Sequence, residues 1–417
     1  MAAVKQIGIG VIGCGMISNT YLPNLTERYG AVKLVGVADL VEEKARKAAE
    51  RYHCEYMTND EIYNCPDIQI VVNLTNVWSH YEVTKAALEH GKHVYCEKMA
   101  AETFEQAKEL YDLAQEKGLM YAMAPDTFLG GGYQTCRWLI DQGVIGEPFA
   151  ADAKIIRTYT VQGPFPMKGN ITSEGGTIPF DMGGYYIHAL QLMFGPVKRV
   201  GGFARWMKKE YSNPKNPLWK EELKLKSPNL IVGTLEHHSG VLSTLIAGDS
   251  GVMNNNEIPG IWVYGTNGTL FCPDPNTFGG PVRVYKNGYD DYLEVPMTHG
   301  FNGTERAMRF GPAPEPKTME DFMVAMWSES RRGIGVGDMC WAIINGRPAR
   351  ITNEMGLHSI EIIHAMVECA KTGKLYEMTT KPIRPVALRP GFQGMDAEAV
   401  FDDYWDDTVD TTPWWCK

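Results

Sequence analysis

The chain has 417 residues, 44% of them hydrophobic and 22% charged, and a formal net charge of −10. This length exceeds what one core usually organises, so two domains are expected in an otherwise ordinary globular composition. The acidic balance and the absence of a basic stripe exclude nucleic acid as a partner, and no apolar run is long enough to span a membrane.

Residues 7–18 read IGIGVIGCGMIS. The apolar run predicts a strand over 7–13 that breaks at a glycine turn and opens a helix. This is the arrangement that holds a dinucleotide pyrophosphate at a helix N-terminus. Gly13 can turn without a Cβ penalty, and Gly15 lets the backbone approach the phosphates. With Met16 and Ile17 they form the candidate cofactor loop, and Ser18 supplies a small residue where the motif takes a third glycine. A second apolar run, 32–38, ends at Asp39, 24 residues after Gly15. A carboxylate there can accept from ribose hydroxyls and repel a 2′-phosphate, so NAD is expected and NADP disfavoured.

Further strands are predicted over 69–74, 92–96 and 119–123. Amphipathic segments Val41–Tyr52, Val83–His90 and Thr103–Glu116 lie between the strands. Strand–helix alternation predicts a parallel, doubly wound α/β sheet. The segment from Asn73 to Asn76 then falls at the carboxyl end of a strand, where such sheets place ligands.

Beyond about residue 147 longer strands are predicted: 150–159, 197–207, 230–238, 240–247, 260–264, 268–272 and 282–285. Gly265-Thr266-Asn267-Gly268 is a turn between two of them. This half reads as an α+β domain with a large, mostly antiparallel sheet. Met355–Thr372 has helical period and ends at Gly373, a C′ glycine. Segments 212–217 and 311–317 read as surface loops. The expected division is 1–125 for dinucleotide binding, 126–385 for substrate and assembly, and 386–417 for a tail.

That tail is acidic and aromatic. It reads either as a disordered segment or as an arm packing on a neighbouring subunit. Nine cysteines are scattered without C-x-x-C pairs, which reads as reduced thiols with no metal or disulfide role. His237 and His238 fall on a strand, one ring on each face. The start, MAAVKQ, runs straight into the first strand and leaves no room for a signal peptide, so a cytoplasmic location is expected.

Several segments together resemble the Gfo/Idh/MocA oxidoreductase family, the relatives of glucose–fructose oxidoreductase and inositol dehydrogenase. Beyond the glycine turn, residues 71–80 resemble the family's T-P-x-x-x-H segment, with Asn76 in place of proline. Val94 to Met99 resembles its E-K-P signature, with Met99 in place of proline. Gly175-Gly176 and Asp181-Met182-Gly183-Gly184-Tyr185 resemble its G-G-G and D-x-G-x-H segment, with Tyr185 where histidine is frequent.

The resemblance implies an NAD-dependent dehydrogenase of a sugar, glycoside or cyclitol. It places Lys98 at the catalytic lysine and Glu97 near the nicotinamide ribose. Thr75, Asn76, Trp78 and His80 fall along the cofactor. Asp181 and Tyr185 are i,i+4 on one helix face, with His188 a further turn along, so all three are candidates for substrate binding or proton transfer. Partial burial beside a cationic nicotinamide is expected to lower the pKa of Lys98.

Asp126, Thr127 and Gln134 follow the last strand of the first domain, in a stretch that borders nicotinamide and substrate in the family. Arg157 and Tyr159, with Gln162, Phe165, Lys168, Asn170 and Thr172, supply the polar and aromatic groups that a sugar pocket needs. The segments P-D-T-F-L-G-G-G and F-D-M-G resemble the branch that oxidises the 3-hydroxyl of glycosides. Two alternatives stand beside the dehydrogenase: an NAD-dependent glycosidase working by oxidation, elimination and re-reduction, and a non-catalytic sugar or dinucleotide sensor. An exposed apolar sheet face is a liability in a monomer, so a homo-oligomer is expected.

Overall fold

The computed structural model describes residues 5–157, 168–207, 210–213, 216–249, 260–301, 332–391 and 410–417. Segment 311–317 and residues Tyr159, Gln162 and Phe165 lie outside them. The first sheet has six strands: β1 (Ile7–Ile12), β2 (Val32–Ala38), β3 (Glu55–Tyr56), β4 (Ile70–Asn73), β5 (His93–Cys96) and β6 (Tyr121–Met123). Their order is β3-β2-β1-β4-β5-β6, and every pairing is parallel. All six residues of β1 are buried, because helices cover both faces of a parallel sheet. The strand order reverses at β1, so the crevice between the ends of β1 and β4 is the ligand-binding position of this architecture.

Helices α1 (Ser18–Glu27), α2 (Glu42–Tyr52), α3 (Asn59–Asn64), α4 (Val77–Glu89) and α5 (Phe104–Glu116) connect the strands. Two features differ from the sequence expectation. Strand β3 is too short to leave a periodic signal. Helix α4 starts at Val77 rather than Val83, because its first turn carries Trp78 and His80 instead of a plain apolar stripe.

Helix α6 (Gly131–Asp141) leads into the second domain. There β7 (Pro148–Arg157) is followed by α7 (Lys168–Thr172), α8 (Ile178–Phe194) and β8 (Val197–Arg205). Next come β9 (Glu210–Asn213), β10 (Asn216–Glu222), β11 (Leu230–His237), β12 (Leu242–Asp249), β13 (Gly260–Gly265) and β14 (Gly268–Cys272). β15 (Val282–Lys286), β16 (Leu293–Val295), α9 (Ile334–Asn345), α10 (Asn353–Thr372) and β17 (Tyr376–Glu377) complete the order. Of the segment 212–217, residues 212–213 and 216–217 belong to the paired strands β9 and β10 rather than to a plain loop.

The large sheet has nine strands in the order β16-β15-β14-β13-β7-β12-β11-β8-β17. Its neighbours are antiparallel except for β7 and β12, which pair in parallel. Gly265 pairs with Gly268, which confirms the tight turn at Thr266-Asn267. Helices α8 and α10 cover one face, so burial alternates along β11, where Ile231, Leu235 and His237 point inward. His238 is exposed. The other face leaves Phe203 78% and Leu242 58% exposed. It also carries a cluster in which Trp262 meets Phe271 and Tyr292 edge-on.

The chain then returns to the first domain. Helix α9 packs on β1 and β2, although it follows them by some three hundred positions. Its interior holds an ion cluster. Asp338, 0% exposed, accepts from Arg347 Nη2 at 2.8 Å, from Arg350 Nη1 at 2.7 Å and from the Arg350 amide at 2.6 Å. Burial alone would raise the Asp338 pKa, but the two guanidinium groups reverse this and hold it below the usual carboxylate range.

The C-terminus also differs from expectation. Residues 410–417 pack on this same chain: Trp414 Nε1 donates to the Ile140 carbonyl at 3.1 Å, and Cys416 Sγ lies 3.5 Å from the Ser239 carbonyl. Residues 392–409 lie outside the described set. No helix among the described residues is long and apolar enough to cross a membrane.

Removing one member of a buried ion cluster leaves its partners uncompensated. Asp338→Ala is therefore expected to cost about 3–5 kcal/mol of stability, read as a clear fall in Tm by calorimetry. Because the Asp338 pKa is depressed by folding, the difference from wild type is expected to shrink as pH falls through the acid range. A variant melting with wild type at neutral pH would refute this account.

Candidate active site

The glycine turn is built as its sequence requires. Gly13 has φ 107°, and a Cβ there would sit 2.6 Å from the Leu74 carbonyl carbon, so both the conformation and the space demand glycine. A Cβ on Gly15 would meet nothing within 4 Å. The turn is thus open on the side from which an anion approaches α1. Among the described residues the amides of Gly15, Met16 and Ile17 have no protein acceptor, and they lie at a positive helix end. The residues present fit a dinucleotide. Ser18 replaces the third glycine and donates its hydroxyl to the Gly15 carbonyl at 2.6 Å.

Asp39, at the end of β2, lies beside this turn. Its Oδ2 accepts from the Cys14 amide and its Oδ1 from the Val41 amide, each at 2.8 Å. The carboxylate is thereby fixed beside the glycine turn. Burial, with Asp39 nearby, pushes the Cys14 thiol up to about 12, so this cysteine stays a neutral thiol.

The end of β5 carries the reactive groups. Lys98 Nζ is ion-paired and hydrogen-bonded to Asp181 Oδ1, in the first turn of α8. Their side chains are only 16% and 10% exposed. Lys98 Nζ lies 5.6 Å from the centre of the Tyr185 ring. Among the described residues no group bonds the Tyr185 hydroxyl.

Burial would lower the Lys98 pKa, but Asp181, then Tyr185 and Glu97, outweigh it and the net shift is upward. The expected lowering weighed burial and a neighbouring cationic nicotinamide without the facing carboxylate, which in this structure reverses the direction. Burial raises the Tyr185 pKa, with Arg332 and Lys98 opposing it.

Other groups brace this centre. Glu97 Oε1 accepts from Tyr21 of α1 at 2.6 Å, and its Oε2 faces the Lys98 amide at 3.2 Å. His80 is 1% exposed, with Nδ1 2.6 Å from the Met99 carbonyl and Nε2 2.9 Å from the Thr75 carbonyl. It ties the segment after β4 to the segment after Lys98. Burial lowers its pKa, opposed by those two acceptors. Thr75 donates its hydroxyl to Asn73 Oδ1 at 2.7 Å. Asn76 and Trp78 are exposed at the start of α4, on the open side. Arg157 is half-buried at the end of β7.

Four sequence candidates are engaged by backbone groups. His188 is fully buried, holds the Pro125 carbonyl through Nδ1 at 3.0 Å, and is pushed down to about 4 by burial. Through Nδ1 it supports the loop. Asp126, 0% exposed, accepts from the amides of Gly333 and Gly335 at 2.8 and 3.1 Å and so caps α9. Thr127 donates to the Pro275 carbonyl at 2.6 Å. Gln134 is locked between the Phe128 carbonyl and the Leu388 amide. Backbone bonds hold each of the four, although His188 Nε2 and Asp126 Oδ1 stay buried without a partner among the described residues.

One residue was missed. Arg332, 5% exposed, sets its guanidinium carbon 5.3 Å from the Tyr185 ring centre and donates to Asn276 at 2.7 Å. It adds a second cation beside Glu97, Asp126 and Tyr185. It comes from beyond residue 330 and carries no local motif, so no sequence signal marked it. Among the described residues no group of three or more His, Cys, Asp or Glu side chains could hold a metal.

Comparison with known proteins agrees with this geometry. Residues 7–124 match the oxidoreductase family GFO_IDH_MocA, NAD-binding Rossmann fold, and residues 133–271 match the GFO/IDH/MocA C-terminal domain. The chain is 30% identical to an inositol 2-dehydrogenase/D-chiro-inositol 3-dehydrogenase of Lactiplantibacillus plantarum, over 37% of this chain and 45% of that protein. It is 27% identical to a D-glucoside 3-dehydrogenase of Escherichia coli, over 57% of this chain and 68% of that protein. Matches to the inositol dehydrogenases span about half the length of those relatives. A solved levoglucosan dehydrogenase, in complex with NADH and levoglucosan, shares the fold with a TM-score of 0.69, at 18% identity over 90% of this chain and all of that one.

The turn predicts its own test. Gly13→Ala forces a side chain into the Leu74 backbone at positive φ, a strain of about 1–3 kcal/mol. NADH affinity, followed by fluorescence titration, is expected to fall at least about tenfold. Unchanged affinity would show that the loop does not hold the dinucleotide.

Proposed function

The chain belongs to the Gfo/Idh/MocA oxidoreductase family, and from that premise we propose that it is an NAD-dependent dehydrogenase acting on a secondary hydroxyl of a sugar, glycoside or cyclitol. The observation that carries this reading is the buried Lys98–Asp181 pair, set beside Tyr185 at the carboxyl edge of a dinucleotide-binding sheet. Oxidation at C3 of a glycoside is the favoured reaction within this class, supported by the likeness to the D-glucoside 3-dehydrogenase. NAD is favoured over NADP because the Asp39 carboxylate would face a 2′-phosphate.

NAD, when bound, accepts the hydride from the carbinol carbon. Gly13, Gly15, Met16 and Ile17 would hold its pyrophosphate, Asp39 its adenosine ribose, and Glu97 and Thr75 the nicotinamide side. The protein supplies orientation and proton handling. Lys98 Nζ has donors left after its bond to Asp181, and these hold the carbinol oxygen. As the C–H bond breaks, the hydroxyl proton moves to Lys98 while Lys98 passes a proton to Asp181, so the ammonium charge stays beside the developing carbonyl. Tyr185 holds a second substrate hydroxyl, and its ring fixes the position of Lys98.

We also propose a homo-oligomer formed through the face of the nine-stranded sheet on which Phe203, Leu242 and Tyr292 are exposed among the described residues. The nine free thiols support a reducing, cytoplasmic setting.

Two outcomes test these readings. With NAD and a panel of sugars, inositols and glycosides, wild type is expected to form NADH and a keto product. Lys98→Ala should lose about 10³-fold in kcat with NAD affinity retained, and Asp181→Asn should lose at least about tenfold and make Lys98 acylate at lower pH. Turnover by Lys98→Ala at the wild-type rate would remove the lysine from the mechanism. Light scattering is expected to show an oligomer that Leu242→Asp dissociates, and a monomeric wild type would contradict the interface.

A further inference from the structure

Away from the cleft, α6, the segment 384–387 and the C-terminal residues 410–414 enclose a cavity of about 240 Å³. Two arginines form its inner wall. Arg137 and Arg384 are each only 4% exposed. Arg137 gives Nε to Asp141 at 2.5 Å and Nη1 to the carbonyls of Leu192 and Pro385. Arg384 gives Nε to the Leu192 carbonyl and Nη2 to Asp141 and the Met193 carbonyl. These bonds explain part of the arrangement, because Leu192 and Met193 end α8 and a cation there satisfies orphan carbonyls.

They leave two things unexplained. Two buried guanidinium groups face one carboxylate, and burial together with Arg137 pulls Arg384 down to about 9. In addition, among the described residues Nη2 of Arg137 and Nη1 of Arg384 have no partner, and neither is among the sealed, unpartnered buried atoms. Both residues line the cavity, so these two groups open into it. The outer wall comes from Thr411, Thr412, Trp414 and Asp410, the last ion-paired to Lys417 at 3.0 Å.

We propose that this cavity binds a phosphate-type oxyanion, and that the bound anion fastens the C-terminal segment to α6. Each guanidinium has already committed Nε and one Nη, so neither can offer the parallel two-donor fork that a planar carboxylate takes. One N–H from each of two arginines, with the Thr411 hydroxyl in the facing wall, suits tetrahedral oxygens, while the Thr412 hydroxyl is already given to Asp410. The charge left over by two arginines against Asp141 provides the attraction. The inference does not rest on the dehydrogenase reading.

The test is calorimetric titration of inorganic phosphate into the full chain saturated with NAD, at ionic strength fixed with chloride. The expected result is one phosphate per chain with a Kd of about 1 mM or tighter, and protection of the C-terminal segment from protease as the site fills. Thr412→Glu places a carboxylate at the exposed rim without touching the buried arginines. It is expected to weaken phosphate at least about tenfold while leaving the Tm in chloride unchanged. Arg384→Lys, which keeps the charge but loses the guanidinium geometry, is expected to weaken it as well. No saturable binding, or equal binding in wild type and Thr412→Glu, would overturn the proposal.

Discussion

The constraint on which this structure turns is the ion pair between Lys98 and Asp181. One partner ends a strand of the parallel sheet, the other sits in the first turn of the helix beneath the antiparallel sheet, and both are largely removed from water. A buried charge is tolerated only when it is paired and hydrogen-bonded. The pair therefore ties the helix of the second domain to the edge of the first sheet. The surrounding bonds serve the same end. Tyr21 holds Glu97, His80 ties the Thr75 segment to Met99, and His188 holds the loop at Pro125.

The chain crosses between domains more than once, which makes the seam a shared core rather than a hinge. After the large sheet is complete, α9 returns to β1 and β2, and Asp126 caps it from the far side of the fold. The same return delivers Arg332 to Tyr185. A linear division at residue 125 misses this, because the second half of the chain supplies packing and charge to the first. It also explains how five ionisable groups, Glu97, Lys98, Asp126, Asp181 and Arg332, coexist in one buried region: cations and carboxylates alternate there, and each moderates the desolvation of the next.

What could be read from the sequence was what local periodicity and glycine geometry encode. The turn at Gly13 and Gly15, five of the six parallel strands, the long strands of the second domain and the helix ending at Gly373 all follow from patterns contained within a single element. Lys98, Asp181 and Tyr185 were visible because short motifs carry them, and the i,i+4 spacing put Asp181 and Tyr185 on one helix face, which in the structure is turned to Lys98. Where the reading failed, distance along the chain was the cause. The Lys98 pKa depends on a carboxylate 83 positions away, so burial without that partner gave the wrong direction. Asp126, Thr127 and Gln134 sit in a ligand-like stretch, but their partners lie far along the chain and only the fold reveals them. Arg332 had no motif at all.

The central claim is that Lys98, backed by Asp181, meets the hydroxyl that is oxidised. A crystal structure of the protein with NAD and a sugar that it turns over tests this most directly. The account predicts the reacting oxygen within about 3.2 Å of Lys98 Nζ, with its C–H directed at the nicotinamide. A substrate whose reacting carbon lies against the nicotinamide but whose oxygen is held by other groups, with Lys98 still turned to Asp181 alone, would contradict it.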